Sequence, residues 1–461
     1  MHESIGIGEI IKKQRTFFES GKTKNVNFRI KQLSILKNAI EEFEDEILNS
    51  IYKDLNKVKF EAYETEIGLV ISEINSVKKK LSRWAKPQRV KSSILNPGAK
   101  AYIYKDPHGL CLIMSPWNYP FYLTIAPLVG AIMGGNCAIV KPSRFSENTT
   151  KTIKKMIDKY FDEEYIYVVF GEHVSNQYLL TKEFDYIFFT GSPTIGKKVM
   201  EAAAKNLTPL TLELGGKSPT IVHKSANINK SAKKIVWGKL INGGQTCIAP
   251  DYIIVHKDIK KQLIENMERY IREFYEEEPL MCNHYPKIIN EKHFNRILGL
   301  INKEKIVYGG KYDEEKLKIE PTILDYVNMD DNVMKEEIFG PIIPLIEYEK
   351  EEEIFEIIEH NKYPLALYIF SEDNNFVDKT LDKVSFGGGC VNDTIMHITN
   401  ENIPFGGVRN SGIGSYHGYN SFRTFTHEKS VVKSTFAIDF SFMYPPYTEK
   451  AFRIMKKIFN R

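Results

Sequence analysis

Two things are scarce in this sequence: cysteine, and an excess of charge of either sign. Only five of the 461 residues are cysteine, too few for a disulfide framework in so long a chain, so we expect reduced thiols and a cytoplasmic protein. Lysine and arginine number 63 against 59 aspartates and glutamates, a formal charge of +4, which argues against a dedicated nucleic-acid-binding protein. The first residues lack the basic-then-apolar order of a secretory signal.

Long apolar segments are scarce too, with one exception. The stretch 121–140 is apolar enough to resemble a membrane span. However, Pro127 interrupts it and the turn sequence at 134–136 divides it in two. We therefore expect a buried helix that ends near Met133, followed by a short strand at 137–140.

The order of the apolar segments predicts the fold class. Over the first eighty residues apolar positions recur at three- and four-residue steps, which is typical of amphipathic helices. From about residue 101, short apolar runs alternate with helical patterns, as in βαβ units around a parallel sheet. The predicted strands are 109–114, 137–140, 165–170, 186–190, 220–223 and 252–256. We predict an α/β protein with two lobes in series.

Three segments carry side chains suited to covalent catalysis. Cys247 lies in the glycine-bearing sequence 243–250, where polar backbone or a helix end can favour the thiolate. Glu213 lies between two leucines, and apolar flanks raise the pKa of a carboxyl towards that of a general base. Asn118 lies in a turn between two prolines, where a rigid amide can face a developing oxyanion. Taken alone, each also fits a structural role: a buried thiol, a solvent-facing strand end and a stiffened turn.

A fourth segment, 184–198, predicts a strand, a glycine turn and the start of a helix. Gly191 and Gly196 fit the phosphate-loop pattern G-x-x-x-x-G-K, but Lys198 stands where that loop needs a Mg²⁺-binding hydroxyl. What remains is a helix N-terminus suited to a phosphate group, or a plain connection between a strand and a helix.

The other cysteines give no sign of chemistry. Cys111, Cys137 and Cys390 border apolar runs, and Cys282 has no partner in the sequence. No pair has C-x-x-C spacing, and no cluster of histidine and cysteine suggests zinc. We predict no metal site.

Together, these segments form a specific order. The motifs are Pro-Trp-Asn-Tyr-Pro at 116–120, Lys-Pro-Ser at 141–143, Phe-Thr-Gly-Ser at 189–192, Glu-Leu-Gly-Gly-Lys-Ser-Pro at 213–219, Gly-Gln-Thr-Cys at 244–247, Glu-Glu-Ile-Phe-Gly-Pro at 336–341 and Pro-Phe-Gly-Gly at 404–407. This order resembles the aldehyde dehydrogenase superfamily over about residues 20–445. The sequences at 247–252, 391–393 and 416–418 are similar to the class 3 or fatty-aldehyde branch.

The resemblance implies NAD(P)-dependent oxidation of aldehydes to carboxylic acids, with named roles for three residues. Cys247 would attack the aldehyde carbon to give a thiohemiacetal and then a thioester. The side-chain amide of Asn118 and the backbone N–H of Cys247 would stabilise the oxyanion. Glu213 would activate the water that hydrolyses the thioester.

The resemblance also implies NAD or NADP as the cofactor and assigns no task to a metal. Lys141 would bind the adenosine ribose, Ser192 and the helix start the pyrophosphate, and Glu337 the nicotinamide ribose. The full set of implied cofactor residues is Lys141, Ser143, Arg144, Thr190, Gly191, Ser192, Gly196, Glu337 and Phe339.

Two residues depart from the family's pattern. Arg144 stands where many relatives carry glutamate, and a guanidinium there would attract the 2′-phosphate of NADP. NADP is therefore expected to be accepted and even favoured, unless Arg144 points to solvent. Arg409 stands where the branch commonly has glycine, and the sequence gives no interpretation of it.

The fold implied is a Rossmann-type cofactor lobe, an α/β catalytic lobe and a small β-arm that pairs subunits. The corresponding residues are 1–81 and 101–212 for the dinucleotide-binding domain, 213–420 for the catalytic domain, 82–100 and 421–445 for the oligomerisation arm, and 446–461 for an amphipathic tail. We expect a homodimer or a pair of dimers.

The tail places Phe452, Met455 and Phe459 on one helical stripe among basic residues. Such a helix can lie on a membrane surface, as in some fatty-aldehyde relatives, or cover its own protein near the substrate entrance. Tyr119 and Trp237 hint at an apolar tunnel for aliphatic or aromatic aldehydes.

Three other functions stay open. A coenzyme A-acylating enzyme would share the first half-reaction, although such relatives generally lack the carboxylate equivalent to Glu213. A hydrolase that pairs Cys247 with a histidine finds no supporting motif. A catalytically silent relative would not be expected to retain Cys247, Glu213 and Asn118 together.

Overall fold

Helices fill the first eighty residues, and strands alternate with helices from residue 88 onward. The computed structural model describes residues 2–170 and 173–460. The helices are α1 (His2–Glu19), α2 (Val26–Glu42), α3 (Glu44–Leu55), α4 (Lys59–Ala62), α5 (Gly68–Trp84), α6 (Tyr122–Gly134), α7 (Glu147–Tyr160), α8 (His173–Leu180), α9 (Pro193–Ala204), α10 (Ile228–Leu240), α11 (Lys257–Tyr275), α12 (Glu291–Leu298), α13 (Asn332–Lys335), α14 (Glu351–His360), α15 (Asn374–Lys383), α16 (Tyr419–Thr424) and α17 (Glu449–Phe459). A π-helical turn, Tyr63–Ile67, joins α4 to α5.

The strands form three main sheets and one short ribbon. They are β1 (Gln88–Val90), β2 (Lys100–Pro107), β3 (Leu110–Met114), β4 (Cys137–Lys141), β5 (Ile166–Val168), β6 (Tyr186–Thr190), β7 (Leu210–Glu213), β8 (Pro219–Val222), β9 (Tyr252–His256), β10 (Ile306–Tyr308), β11 (Tyr312–Asp313), β12 (Lys318–Ile319), β13 (Thr322–Leu324), β14 (Ile342–Tyr348), β15 (Ala366–Phe370), β16 (Gly388–Val391), β17 (Gly412–Ile413) and β18 (Thr426–Lys433). The ribbon pairs β11 with β12.

The first sheet has the strand order β17-β7-β6-β3-β4-β5. Strands β7, β6, β3, β4 and β5 are parallel, and β17 is antiparallel to β7. Every residue of β3 and β4 is buried, which explains why these strands read as unbroken apolar runs. The predicted α/β fold with parallel sheets is confirmed.

The apolar stretch 121–140 divides as predicted. Its first part is α6, in which all residues are buried, and its second part is β4. Gly135, with φ 90°, ends the helix, and glycine adopts this left-handed conformation without strain. No helix among the described residues is both long enough and apolar enough to cross a bilayer.

The second sheet has the order β10-β13-β14-β9-β8-β15-β16, and all its neighbours except β10 and β13 are parallel. It carries a second apolar core that includes Ile254, Ile342 and Ile369. The charge run at 349–353 begins α14, as its composition indicated.

The third sheet, β1-β2-β18, is antiparallel and includes strands from both segments predicted as the arm. Its central strand is β2, which pairs with β18 over eight residues. The sequence-based boundary at residue 101 assigned most of β2 to the dinucleotide-binding domain, and the pairing corrects it. The reason is local: only His108 and Gly109 separate β2 from β3, so the sequence shows no linker there.

A second correction concerns β17. Residues 412–413 fall within the predicted catalytic domain, yet they pair with Leu212 and Glu213 at the edge of the first sheet. A strand of two residues is too short to leave a periodic pattern in the sequence.

The tail forms α17, but its apolar face differs from the predicted stripe. Ala451 is buried and Met455 is half-buried, whereas Phe452 and Phe459 are exposed. The contacts of α17 therefore run along a face rotated away from the two phenylalanines.

Candidate active site

Four predicted residues stand at one edge of the first sheet. Lys141, Thr190 and Glu213 end the parallel strands β4, β6 and β7, and Asn118 follows β3. Because the carboxyl ends of parallel strands meet at one edge, the topology brings these residues together at the usual ligand-binding edge of such a sheet.

The second sheet faces the same region with the amino ends of its strands. Cys247 precedes β9, and the segment with Glu337 and Phe339 precedes β14. A cavity of about 770 Å³ lies here. Eight predicted site residues line it: Asn118, Thr190, Gly191, Ser192, Glu213, Cys247, Glu337 and Phe339.

Three consecutive residues in the left-handed backbone conformation shape the loop before Cys247. Asn242, Gly243 and Gly244 have φ values of 54°, 62° and 76°. The side chain of Gln245 then holds the loop, since its Nε2 donates to the carbonyl oxygens of Asn242 and Lys287, each at 3.0 Å. Its Oε1 accepts the backbone N–H of Ile289 at 3.0 Å. The thiol is thus carried by a fixed backbone.

Asn118 is tied directly to this loop. Its side chain is buried, and its Nδ2 donates to the carbonyl oxygen of Gln245 at 3.0 Å. Its own carbonyl oxygen accepts from Nδ2 of Asn242 at 2.7 Å. One N–H of the Asn118 amide is therefore committed, and the other has no acceptor among the described residues.

Glu213 is 3% exposed, so the solvent-facing alternative is wrong. Neither of its carboxylate oxygens has a hydrogen-bond partner among the described residues. Burial raises the pKa of this carboxyl well above its usual range, in the direction that its apolar flanks predicted.

Glu337 lies close to the segment that follows Glu213. A Cβ atom on Gly215 would lie 2.0 Å from Oε2 of Glu337, so a larger residue there would displace the Glu337 carboxyl. Burial, and secondarily the Asp251 carboxylate, raise the pKa of Glu337 to about 8. Its Oε1 is buried without a partner among the described residues, which leaves a free acceptor towards the cavity.

The thiol of Cys247 has a raised pKa. Burial is the main cause, and the carboxylates of Glu337 and Glu213 add to it. The backbone N–H groups of Cys247 and Ile248 act in the opposite direction, as the sequence indicated, but they are outweighed. The sequence could not reveal that two carboxyl groups face this thiol.

The predicted cofactor residues fall into two groups. Thr190, Gly191 and Ser192 line the cavity where α9 begins, and Oγ1 of Thr190 is buried without a partner among the described residues. Ser192 is the N-cap of α9, and the free N–H groups of a helix N-terminus suit a phosphate. The unpartnered Thr190 hydroxyl beside these N–H groups fits a dinucleotide.

The other predicted cofactor residues lie outside the cavity lining. Nζ of Lys141 donates to the Pro142 carbonyl oxygen at 3.1 Å, and Oγ of Ser143 accepts the N–H of Phe145 at 3.2 Å. Arg144 is exposed, with its guanidinium carbon 5.2 Å from the centre of the Phe145 ring.

Gly196 has a packing role in the structure. A Cβ atom there would lie 2.7 Å from Cδ2 of Leu214. The glycine therefore allows α9 to approach the segment after β7, and it does not line the cavity. Arg409, the other unusual position, has φ 53° and stacks 4.8 Å from the ring of Tyr363, so it adopts a backbone conformation that favours glycine.

Sequence reasoning missed a buried lysine that joins the two halves of the site. Nζ of Lys217 lies 2.5 Å from Oδ2 of Asp251 and donates to the carbonyl oxygens of Val333 and Glu336. Oδ1 of Asp251 accepts the N–H of Ile338 at 3.0 Å. These contacts fix the segment that bears Glu337. Both residues stand inside recognised motifs, but their pairing across 34 positions leaves no local signal.

One expectation about cysteine is wrong. Sγ of Cys282, which has no partner in the sequence pattern, lies 3.3 Å from both ring nitrogens of His284, and the carboxylate of Glu276 is within 4.8 Å. Because Sγ is equally far from Nδ1 and Nε2, it does not lie along the lone-pair direction of either nitrogen. Glu276 and His284 are also exposed.

The cysteine–histidine hydrolase gains no support. Among residues 2–170 and 173–460, no histidine hydrogen bonds to Cys247, and the ionisable groups that act on the thiol are Glu337 and Glu213. No residue of 446–460 lines the cavity either, so the described part of the tail does not form its wall.

Comparison with known proteins agrees with this arrangement. The profile of the aldehyde dehydrogenase family matches residues 6–431. A 4,4′-diaponeurosporen-aldehyde dehydrogenase of Staphylococcus aureus is 45% identical over 97% of both chains. A dimeric, NADP-preferring aldehyde dehydrogenase of Canis lupus familiaris is 41% identical over 97% of this chain and 99% of its own.

The fold agrees as well. The substrate-bound structure of Staphylococcus aureus AldH superposes with a TM-score of 0.96 at 44% identity, covering 98% of this chain and 99% of that one. A thiol, an amide and a buried carboxyl converge beside a dinucleotide-binding edge, within a sequence and a fold shared over nearly their whole length. The chain therefore belongs to the aldehyde dehydrogenase family, the oxidoreductases that oxidise aldehydes with NAD or NADP.

Proposed function

We propose that Cys247 is the nucleophile, that Asn118 and the Cys247 N–H bind the oxyanion, and that Glu213 is the base that releases the acid. The observation that carries this proposal is the Glu213 carboxyl, which lies buried in the cavity that also holds the thiol and has no hydrogen-bond partner in the described part of the chain. A carboxyl kept dry and unpaired has a raised affinity for protons, which suits a group that takes a proton from water.

The protein's groups act in two stages. The thiol of Cys247 loses its proton to a neighbouring carboxylate, and the sulfur bonds to the aldehyde carbon. The carbonyl oxygen becomes an oxyanion that the free Asn118 N–H and the Cys247 N–H stabilise; one such donor contributes about 10²–10³ in rate. A bound nicotinamide supplies the hydride acceptor, and a thioester remains on the cysteine.

Glu213 then completes the reaction. It takes a proton from a water molecule whose oxygen bonds to the acyl carbon, and the carbon–sulfur bond breaks to release the acid and the thiolate. This task distinguishes the hydrolytic enzyme from the coenzyme A-acylating alternative, in which a second thiol takes the place of water. Glu213 therefore favours hydrolysis.

For the dinucleotide, we propose that Thr190, Gly191 and Ser192 bind the pyrophosphate at the start of α9 and that Glu337 binds the nicotinamide ribose. Lys141 and Ser143 would lie along the adenosine side, and Phe339 along the nicotinamide. Arg144 is an exposed guanidinium three residues after Lys141, and we propose that it pairs with a 2′-phosphate. That pairing would favour NADP.

For the substrate, we propose an aldehyde with a long apolar chain. The cavity wall includes the apolar side chains Leu69, Trp237, Ile241, Ile395 and Phe405, and apolar walls stabilise an aliphatic or polyene chain by excluding water from it. The relative from Staphylococcus aureus is named for 4,4′-diaponeurosporen-aldehyde. The value of kcat/KM should therefore rise with chain length.

For assembly, we propose a cytoplasmic homodimer that pairs through the arm. Beyond β18, the segment 434–447 exposes several apolar side chains, among them Phe436, Tyr444 and Tyr447, as expected of a surface that a second copy covers. The relative from Canis is named as dimeric. With the strand pairing taken into account, the proposed arm is 85–107 together with 426–445.

One experiment tests the proposed reaction. Absorbance of reduced nicotinamide is followed while the protein is mixed with a long-chain aldehyde and either NAD⁺ or NADP⁺. Steady turnover without coenzyme A supports the hydrolytic enzyme. Turnover that requires coenzyme A would identify the acylating alternative, and no turnover under either condition would identify a silent relative.

A further inference from the structure

An ion pair lies wholly inside the protein behind the proposed oxyanion site. Nζ of Lys57 is 2.7 Å from Oε1 of Glu66, and both side chains are 0% exposed. Glu61, on the intervening α4, is a second carboxyl; it is half-buried, burial raises its pKa, and the positive charge of Lys57 acts against that rise. These three residues, here called the clamp, belong to the segment that contains the π-helical turn Tyr63–Ile67.

The first carboxylate of the clamp holds the end of the Asn118 turn. Oε2 of Glu66 accepts the backbone N–H groups of Phe121 and Tyr122, at 2.8 and 3.3 Å. These donors stand at the beginning of α6, where a helix leaves its first N–H groups without partners. Glu66 thereby fixes the chain only three residues after Asn118.

The second carboxylate holds the beginning of the Cys247 loop. Oε1 of Glu61 accepts the backbone N–H of Asn242 at 2.7 Å, the first of the left-handed residues that shape this loop. Asn242 in turn donates its side-chain N–H to the carbonyl oxygen of Asn118 at 2.7 Å. The two carboxylates therefore fix both loops that would supply oxyanion donors.

The ammonium of the clamp contacts the same two loops through Tyr119. Nζ of Lys57 lies 4.1 Å from the centre of the Tyr119 ring, a distance at which a cation is attracted to the ring face. The hydroxyl of Tyr119 lies 2.7 Å from Oγ1 of Thr246, the residue before Cys247. One ammonium thus faces two carboxylates and an aromatic ring between the turn and the loop.

The charges of the clamp need an explanation beyond stability. Replacing a buried ion pair by apolar residues of similar volume often leaves stability unchanged or raises it. Apolar side chains, however, could not accept the three backbone N–H groups of Phe121, Tyr122 and Asn242. The same segment also supplies cavity-lining residues, Glu64, Thr65 and Leu69.

We propose that Lys57, Glu61 and Glu66 are positioning residues that set the distance between the Asn118 amide and the Cys247 N–H. This inference rests on the proposed oxyanion role of Asn118. The clamp touches neither substrate nor cofactor in this arrangement; it acts through the backbone of the two loops.

The test is a set of double-variant cycles. Glu66→Gln, Glu66→Leu and Lys57→Met are each made in the wild type and in Asn118→Ala, and kcat and KM are measured for one aldehyde. We expect Glu66→Leu to lower kcat about 10- to 100-fold in the wild type, with KM little changed. This is less than the roughly 10²–10³-fold loss on removing an oxyanion donor, because the donor is displaced and not removed. In the Asn118→Ala background, the further loss should be less than about threefold, because coupled residues are not additive.

A matched control separates position from stability. Nζ of Lys260 lies 3.0 Å from Oδ1 of Asp325 in a largely buried ion pair outside the cavity lining. Lys260→Met should lower the melting temperature and leave kcat unchanged. If Glu66→Leu fails to fold, the isosteric Glu66→Gln replaces it in the double-variant cycle. Glu61→Gln gives the equivalent cycle for the Cys247 loop.

Two outcomes overturn the inference, and they are distinct. Equal fold-losses in both backgrounds, or a lowered melting temperature with unchanged kcat, would show that the clamp only stabilises the fold. An Asn118→Ala variant with wild-type kcat would instead overturn the proposed role of Asn118, and with it the link between the clamp and that amide.

Discussion

Gly244 packs so closely on Gly340 that a Cβ atom at Gly244 would lie 2.3 Å from the Gly340 carbonyl oxygen. The first glycine belongs to the loop that ends at Cys247, and the second follows the segment with Glu337 and Phe339. The proposed nucleophile and the proposed nicotinamide site are therefore in direct backbone contact. A displacement of one segment must move the other.

The first prediction follows from this contact. Gly244→Ala should lower the free energy of unfolding by about 2 kcal/mol or more, because it adds a clash to the strain of a residue with φ 76°. It should also lower kcat, since the loop would shift. Chemical denaturation and steady-state kinetics measure both effects. Gly299→Ala is the control, because its Cβ would meet nothing closer than 3.4 Å; equal effects at both positions would contradict the argument.

The second prediction concerns the nucleophile. Cys247→Ala should abolish turnover of aldehyde, because no other cysteine lines the cavity among the described residues. Cys282→Ala should retain it, since that buried thiol lies outside the cavity lining. Reduced-nicotinamide absorbance measures both. Turnover by Cys247→Ala close to that of the wild type would rule out the thioester route.

The third prediction concerns the base. Glu213→Gln should give one burst of reduced nicotinamide per site and then turn over about 10²–10⁴-fold more slowly, because general-base catalysis of hydrolysis is lost. In the wild type, the raised pKa of Glu213 means that turnover should rise with pH above the usual glutamate range. Stopped-flow absorbance resolves the burst. Unimpaired turnover of Glu213→Gln would transfer the role to Glu337.

The fourth prediction concerns the choice of cofactor. Arg144→Glu should lower the ratio of kcat/KM for NADP⁺ to that for NAD⁺ about 10- to 100-fold, since a charge-assisted hydrogen bond is worth about 1.5–3 kcal/mol and repulsion replaces it. Lys383→Glu makes the same change of charge outside the cavity lining and should leave the ratio unchanged. An unchanged ratio in Arg144→Glu would mean that the guanidinium faces solvent in the complex.

The fifth prediction concerns stability and pH. The folded-state pKa of Glu337 is raised to about 8, so its contribution to stability is present below the unfolded value near 4.5 and is lost as pH rises through about 8. Glu337→Gln should therefore melt at a higher temperature than the wild type at pH 9, with a smaller difference at pH 5. Calorimetry at both pH values measures this; the exposed Glu352→Gln is the control. A difference that does not grow with pH would contradict the cause given.

The sequence was sufficient to predict those features that leave a local pattern of residues. Strands at 186–190 and 252–256 have the bounds that their apolar runs predicted, and the apolar stretch 121–140 divides at its glycine turn. Eight of the twelve predicted site residues line one cavity, because motifs at the ends of parallel strands meet at one edge.

What the sequence did not reveal depends on contacts between distant segments. Lys57 and Glu66 are charged residues in a charge-rich segment, which is typical of an exposed helix. In the structure they form a fully buried ion pair. Gly196 completes a phosphate-loop pattern but packs on Leu214. The stripe of Phe452 and Phe459 is exposed because α17 contacts its neighbours with another face. In each case the deciding partner is a tertiary neighbour that no periodic pattern specifies.

The short strand β17 has a consequence for how this protein is made. Gly412 pairs with Glu213, and the N–H of Leu214 donates to the carbonyl oxygen of Ser411 at 3.0 Å. The strand that carries the proposed base thus receives its outer neighbour from residues synthesised about 200 positions later. Until residues 411–413 have been synthesised, the outer edge of β7 has no partner strand. The surroundings of the proposed base are therefore completed only late in translation.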